Sequence, residues 1–138
     1  MRKTIFAAAA GAVLFSSLAA PATAAAQSPA AAGVWRNPKN TVHVKLQPCG
    51  PTMCGTVVWA APKAQAKARA AGQKLVGAQL FREFKPVAPG RWQGKVFVPD
   101  MNRTFSGTMT AESPTRMVGK GCLIGGFFCK SQTWVKIG

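Results

Sequence analysis

The chain predicts an all-β fold: a small closed antiparallel barrel of eight strands, with one short helical or loop insertion. Three observations carry this. From Gly33 onward the sequence divides into short segments in which apolar and polar residues alternate, the period of a strand with one buried face. Gly, Pro, Asn or Ser separates most of these segments, as turns require. Gly94, Gly107 and Gly119 lie inside segments, where a coiling sheet needs bends or bulges. Closure suits the count because it leaves no unpaired edge.

The elements follow in order. "GVWRN" opens the series, and "TVHVKLQ" then sets Val42, Val44 and Leu46 on one face with His43 and Lys45 on the other, since alternate strand residues share a face. "GTVVWA" is a compact β-prone run. Residues 61–74, "APKAQAKARAAGQK", break the rhythm: they hold good helix formers and Pro62 near the start, but only alanine as apolar content. A helix there buries little, so the segment reads as a basic loop or helical lid between the third and fourth strands. "AQLFREFK", "RWQGKVFV", "RTFSGTMTA", "TRMVGKG" and "SQTWVKI" complete the eight.

The start of the chain bears on the compartment. "MRKTIFAAAAGAVLFSSLAAPATAAAQ" has Arg2 and Lys3, an apolar run from Ile5, then Pro21 and small residues. This is the pattern of a secretory signal peptide over residues 1–26, cleaved after Ala24 or Ala26. The run is rich in alanine and short for a membrane span of about 20 residues, and no later stretch is apolar enough to span. No cysteine precedes Cys49, so a lipoprotein anchor is not available. Residues 27–32 read as a flexible leader and 33–138 as a single domain of ordinary size. The expected location is the periplasm or the cell exterior.

An oxidising compartment shapes the reading of the four cysteines. Cys49 and Cys54 flank a four-residue loop between the second and third strands, and Cys122 and Cys129 bracket "LIGGFF" between the last two. Facing residues of an antiparallel pair lie about 4.5–5.5 Å apart at Cα, a span a disulfide bridges. Two local staples, Cys49 with Cys54 and Cys122 with Cys129, are the economical reading. Each short ring stabilises by only about 2 kcal/mol, so fixing register matters as much. Structural zinc favours closer C-x-x-C knuckles, and a redox pair favours C-x-x-C at a helix start. Crossed pairing between the two loops stays open at this point.

Read together, "GVWRN", "VKLQPCGPTMCGTVVWA", "LVGAQLF", "RWQGKVFVPDMNRTFSGTM" and "GCLIGGFFCKSQTWVKI" resemble the bacterial family catalogued as domain of unknown function 2147. The resemblance implies a small exported protein with a lipocalin-like (calycin-like) barrel able to hold a small apolar ligand; it implies no settled activity. The chain departs from the family's pattern in places. Val98-Pro99-Asp100-Met101-Asn102 stands where the family tends to have an aspartate-proline turn followed by glycine, Phe97 and Phe105 replace tyrosines, and Lys136 replaces an arginine. In the lipocalin comparison the tryptophan of an initial G-x-W is covered by a basic residue of the last strand. Gly33-Val34-Trp35 and Trp134-Val135-Lys136 match those two parts; a lysine lacks the planar stacking of an arginine.

Charge narrows the partners. The net charge is +15, against acids at Glu83, Asp100 and Glu112 alone, and it falls by two when Arg2 and Lys3 leave with the signal. Such a chain favours anionic partners: an acidic small ligand, lipopolysaccharide or phospholipid. Lys63, Lys67, Arg69 and Lys74 form the one dense group. Nucleic acid ranks last, because no reading motif is present and the chain is read as exported.

No catalytic constellation is visible, so the chain is not read as an enzyme. His43 is the one histidine and falls on a polar strand face, and the three acids fall in separate segments. A general base needs an orienting partner, and paired-carboxylate, nucleophile-elbow, phosphate-loop and dinucleotide signatures do not occur. The sequence calls for no cofactor and no metal. The aromatic residues give the better lead. Trp35, Trp59, Trp92, Val96, Phe105, Met109 and Trp134 are candidates for the barrel interior. An eight-stranded barrel is just wide enough either to pack solid or to hold one small ligand. The reading is an exported, stapled barrel that binds a small lipophilic or acidic molecule. The alternative is an envelope protein that binds lipopolysaccharide or phospholipid through its basic exterior.

Overall fold

The computed structural model of the chain describes residue 11, residues 31–123 and residues 128–138. The predicted signal peptide lies outside the described residues apart from Gly11. Eight strands close a barrel in sequence order. They are β1 (Gly33–Arg36), β2 (Val42–Cys49), β3 (Thr52–Ala60), β4 (Gln79–Ala88), β5 (Arg91–Val98), β6 (Arg103–Ser113), β7 (Arg116–Leu123) and β8 (Phe128–Lys136), with the helix α1 (Pro62–Ala70) between β3 and β4. Each strand pairs antiparallel with the next, and β8 returns to β1 through Trp35 opposite Lys136 and Arg36 opposite Val135.

Alternating direction sorts the connections between two ends. The β1–β2, β5–β6 and β7–β8 connections share one end with α1, which makes that end the mouth. The β2–β3, β4–β5 and β6–β7 turns lie at the other end with Gly33 and Gly138. That end is closed by packing: Trp35, Leu46, Phe84, Met109 and Met117 are essentially inaccessible there. The Trp35 indole donates to the Ala31 carbonyl at 2.9 Å, and the Lys136 ammonium lies 5.9 Å from the Trp35 ring centroid, at the outer limit of a cation–π contact. Ala31 is itself buried. The packed structure therefore reaches into the stretch read as a flexible leader over 27–32, because the indole takes a backbone acceptor from it.

The first hairpin is tighter than the expected four-residue loop. Pairing runs until Cys49 faces Thr52, leaving Gly50 and Pro51 as the connection, with Gly50 at φ 64°, a conformation glycine adopts without strain. Cys54 faces Gln47, so Cys49 and Cys54 are diagonal neighbours, joined across a Cα separation of 5.8 Å. Cys122 and Cys129 are direct partners in β7 and β8 and are joined across 4.0 Å. Pro62 starts α1 at a position where its missing N–H costs nothing. Gly72, at φ 74°, ends it, with its N–H bonded to the Arg69 carbonyl.

Two bulges decide which residues face inward. In β3 the register with β2 slips after His43, so Val57 is buried while Val58 and Trp59 both stand outside and Ala60 is buried again. In β4 the register with β5 slips between Arg82 and Lys85, and Glu83 takes φ 53°. Strict alternation would send Phe81 and Glu83 inward together. The extra residue instead leaves Glu83 exposed and turns both Phe81 and Phe84 inward.

Glu83 meets Lys95 outside the barrel at 3.0 Å, with both side chains well exposed, so this pair adds little to stability. The Lys95 hydrogen bond and charge hold the Glu83 carboxyl below its ordinary pKa, with Lys85 adding to the effect. A lowered folded-state pKa stabilises above the unfolded value and is lost as pH falls through the folded one. The backbone conformation at Glu83 weighs more than its charge. Glu83→Gly should leave the melting temperature unchanged or raised, and Glu83→Val should lower it by roughly 5 °C; thermal unfolding followed by circular dichroism checks both.

Candidate functional site

The mouth half of the barrel is hollow. A cavity of about 820 Å3 opens there, within the range of small-molecule sites. Inward side chains shrink toward the mouth along β7, which leaves room there. Met109 and Met117 fill the closed half, but the inward positions that follow on β7 are Gly119 and Gly121. Among the described residues, a Cβ built on Gly121 would meet nothing within 4 Å. One on Gly119 would lie 3.4 Å from the Trp134 indole nitrogen, in ordinary contact with that ring. Gly107 differs, since its Cβ would strike Val96 at 2.5 Å and the Lys120 carbonyl at 3.2 Å.

Aromatic rings floor the cavity. Phe81 packs edge-to-face on Trp134, with centroids 5.5 Å apart, and on Phe84 at 5.7 Å. Such pairs add about 0.5–1.5 kcal/mol each beyond their buried area. Val96, Val98 and Phe105 form one wall, and Ala64 and Ala68 of α1 with Leu75 form the lid side. Alanine suits the helix there: Ala68 is buried against the barrel, while a larger residue would fill the space beneath it.

The rim carries charge. Lys39 of the β1–β2 turn, Lys63 and Lys67 one turn apart on α1, and Lys130 of β8 all line the opening, and Asp100 is the acid that joins them. Lys130 stands opposite Gly121 and Gln132 opposite Gly119, so both share the inward face of β8 with Trp134. Among the described residues the ion pairs are Glu83 with Lys95 and Glu112 with Arg116 at 3.7 Å, both away from the mouth. The rim lysines therefore have no carboxylate partner within ion-pair distance. Their fields add over an apolar concavity, where low-dielectric walls concentrate them.

The sequence-predicted interior separates into three groups. Val96, Phe105 and Trp134 line the cavity. Trp35, Trp92 and Met109 face inward but lie in the closed half, buried in solid packing. They are corrected from cavity lining to core, because strand parity gives the face but not the height along the barrel. Trp59 is corrected to the outer surface: it is 43% exposed, and the β3 bulge reverses its parity. Its ring stacks on His43 at 4.5 Å, and His43 Nε2 lies 2.7 Å from Asn40 Oδ1.

Of the basic group, Lys63 and Lys67 reach the cavity, while Arg69 and Lys74 do not line it. Two residues past Lys67 is about 200° around the helix, which turns Arg69 away. Sequence reasoning missed Phe81, Leu75, Lys39, Lys130 and Gln132. The signal for two of these was present: extending the last strand back to Lys130 puts Lys130, Gln132, Trp134 and Lys136 on one face. No group of three or more His, Cys, Asp or Glu able to hold a metal occurs among the described residues.

Two of the inward glycines, Gly107 and Gly121, separate space from strain. Gly121→Ala should keep or raise the melting temperature, whereas Gly107→Ala should lower it by about 5 °C or more. Thermal unfolding of the two variants side by side checks the hollow directly.

Comparison with known proteins agrees with this architecture. A solved structure described as "Protein HP1028 from the human pathogen Helicobacter pylori belongs to the lipocalin family" aligns with a TM-score of 0.58 at 11% identity, covering 78% of this chain and 83% of that one. The likeness is one of fold. No curated protein matches the chain. No helix among the described residues is long and apolar enough to cross a membrane. The family described as an uncharacterized protein conserved in bacteria, DUF2147, matches residues 33–136, the whole span from the first strand of the barrel to the last. This chain belongs to that family.

Proposed function

We propose that the chain is an exported carrier or sensor that holds a small lipophilic acid in the mouth half of its barrel. The observation that carries this reading is the pairing of an apolar floor with an uncompensated cationic rim in one cavity. The apolar body of the ligand rests on Phe81 and Trp134, and its acidic group lies among Lys39, Lys63, Lys67 and Lys130. A neutral ligand would make no use of the rim, and a small hydrophilic anion would leave the floor unfilled.

Export is supported by the leader-like residues 1–26 and by two disulfides, which persist in oxidising compartments. Binding is favoured over catalysis because the titratable groups do not converge. His43 sits outside the barrel with Asn40 and Trp59, while Glu83 and Glu112 are each paired on the surface. Asp100 is at the mouth without a second carboxylate or a histidine beside it.

Dodecanoate and its uncharged counterpart dodecanol test the reading by isothermal titration calorimetry. Wild type should bind dodecanoate saturably, and the binding should survive added salt because most of the contact is apolar. Gly121→Phe should remove it while leaving the melting temperature in place. The triple variant Lys63→Gln, Lys67→Gln, Lys130→Gln should weaken dodecanoate by about tenfold or more and dodecanol much less. Equal dodecanoate binding by wild type and Gly121→Phe would contradict a ligand in this cavity.

A further inference from the structure

The basic residues are sorted along the barrel axis. Beside the rim lysines, the mouth end carries Arg69 in the last turn of α1, Lys74 before β4 and Arg103 at the start of β6, all exposed. Against them stands Asp100. At the closed end Arg116 is paired with Glu112 and Lys136 lies against Trp35, which leaves Lys45, Lys85 and Arg91 exposed. At the tip of the β5–β6 turn, beside Asp100, Met101 is 51% exposed and reaches the cavity opening. The mouth thus joins a ring of cations to an apolar tip and an apolar opening.

We infer that this mouth is a docking face for an anionic phospholipid surface. The inference rests on the ligand reading above, which it extends by stating where the cavity opens when the protein is in use. Lysine and arginine meet lipid phosphates, Met101 enters the interfacial layer, and the opening faces the lipid. An amphiphile then moves between bilayer and floor without crossing open water.

Geometry makes the docking directional. Strands of this length, tilted as a barrel requires, set the two ends about 20 Å apart, and charges are screened over about 8 Å at physiological salt. Basic residues at the far end therefore contribute little once the mouth is seated. Each basic residue close to an anionic surface raises affinity by about fivefold.

Sedimentation with phosphatidylglycerol-containing vesicles at physiological salt tests this, with pure phosphatidylcholine vesicles as control. The mouth variant Arg69→Gln, Lys74→Gln, Arg103→Gln changes residues that do not line the cavity. The variant Lys85→Gln, Arg91→Gln, Arg116→Gln removes the same charge from the closed end. The mouth variant should lose at least about tenfold in vesicle affinity and the closed-end variant about twofold or less; dodecanoate binding should be unchanged in both. Equal losses, or no binding of wild type to anionic vesicles, would overturn the docking face. If Gly121→Phe loses dodecanoate but still sediments, the docking face and the cavity are both supported as separate features. If the vesicle asymmetry holds while wild type binds no dodecanoate, the docking face stands and the ligand reading falls.

Discussion

The hollow depends on one irregularity in β4. Because Glu83 adopts a left-handed conformation, Phe81 and Phe84 both point inward although they are three residues apart. Phe84 is fully buried and completes the packed half, while Phe81 meets Trp134 and ends it. Without the bulge, alternation would direct Glu83 into an apolar interior, where an unpaired carboxylate is costly. The boundary between the solid and hollow halves is thus a consequence of backbone geometry at Arg82–Glu83, read out through two rings.

Above that boundary the wall is thin in side chains. Gly119 and Gly121 give β7 no inward packing, and glycine weakens a strand. The Cys122–Cys129 bond joins β7 to β8 immediately beside Gly121, fixing the register where side-chain packing does not. Cys49–Cys54 does the same at the opposite end, where β2 and β3 turn. The two staples thus hold both rims of the barrel.

Much of this was legible in the sequence. All eight strands and the helix lie where alternation and the helix-forming, alanine-rich run of 61–74 put them, because turn residues and strand period act locally. The family resemblance and the lipocalin-like barrel were legible too, as was the meeting of Trp35 with Lys136. Trp59 was not, because a bulge adds one residue with no mark in composition. Neither was the depth of Trp35, Trp92 and Met109, since height along a barrel comes from the stagger of strands far apart in sequence. Phe81 was hidden by the same bulge that positions it, and Lys39 by lying in a turn whose neighbours come from other strands.

If the mouth half holds a carried molecule, that molecule adds to the native mass. Native mass spectrometry of the protein produced from the full 138-residue sequence in an oxidising compartment, compared with its denatured and unreduced mass, tests this. The native mass should exceed that of the bare chain, with the excess lost on denaturation, and the denatured mass should be lower by four hydrogens for two disulfides. A native mass equal to the bare chain, unchanged after incubation with long-chain acids, would contradict it.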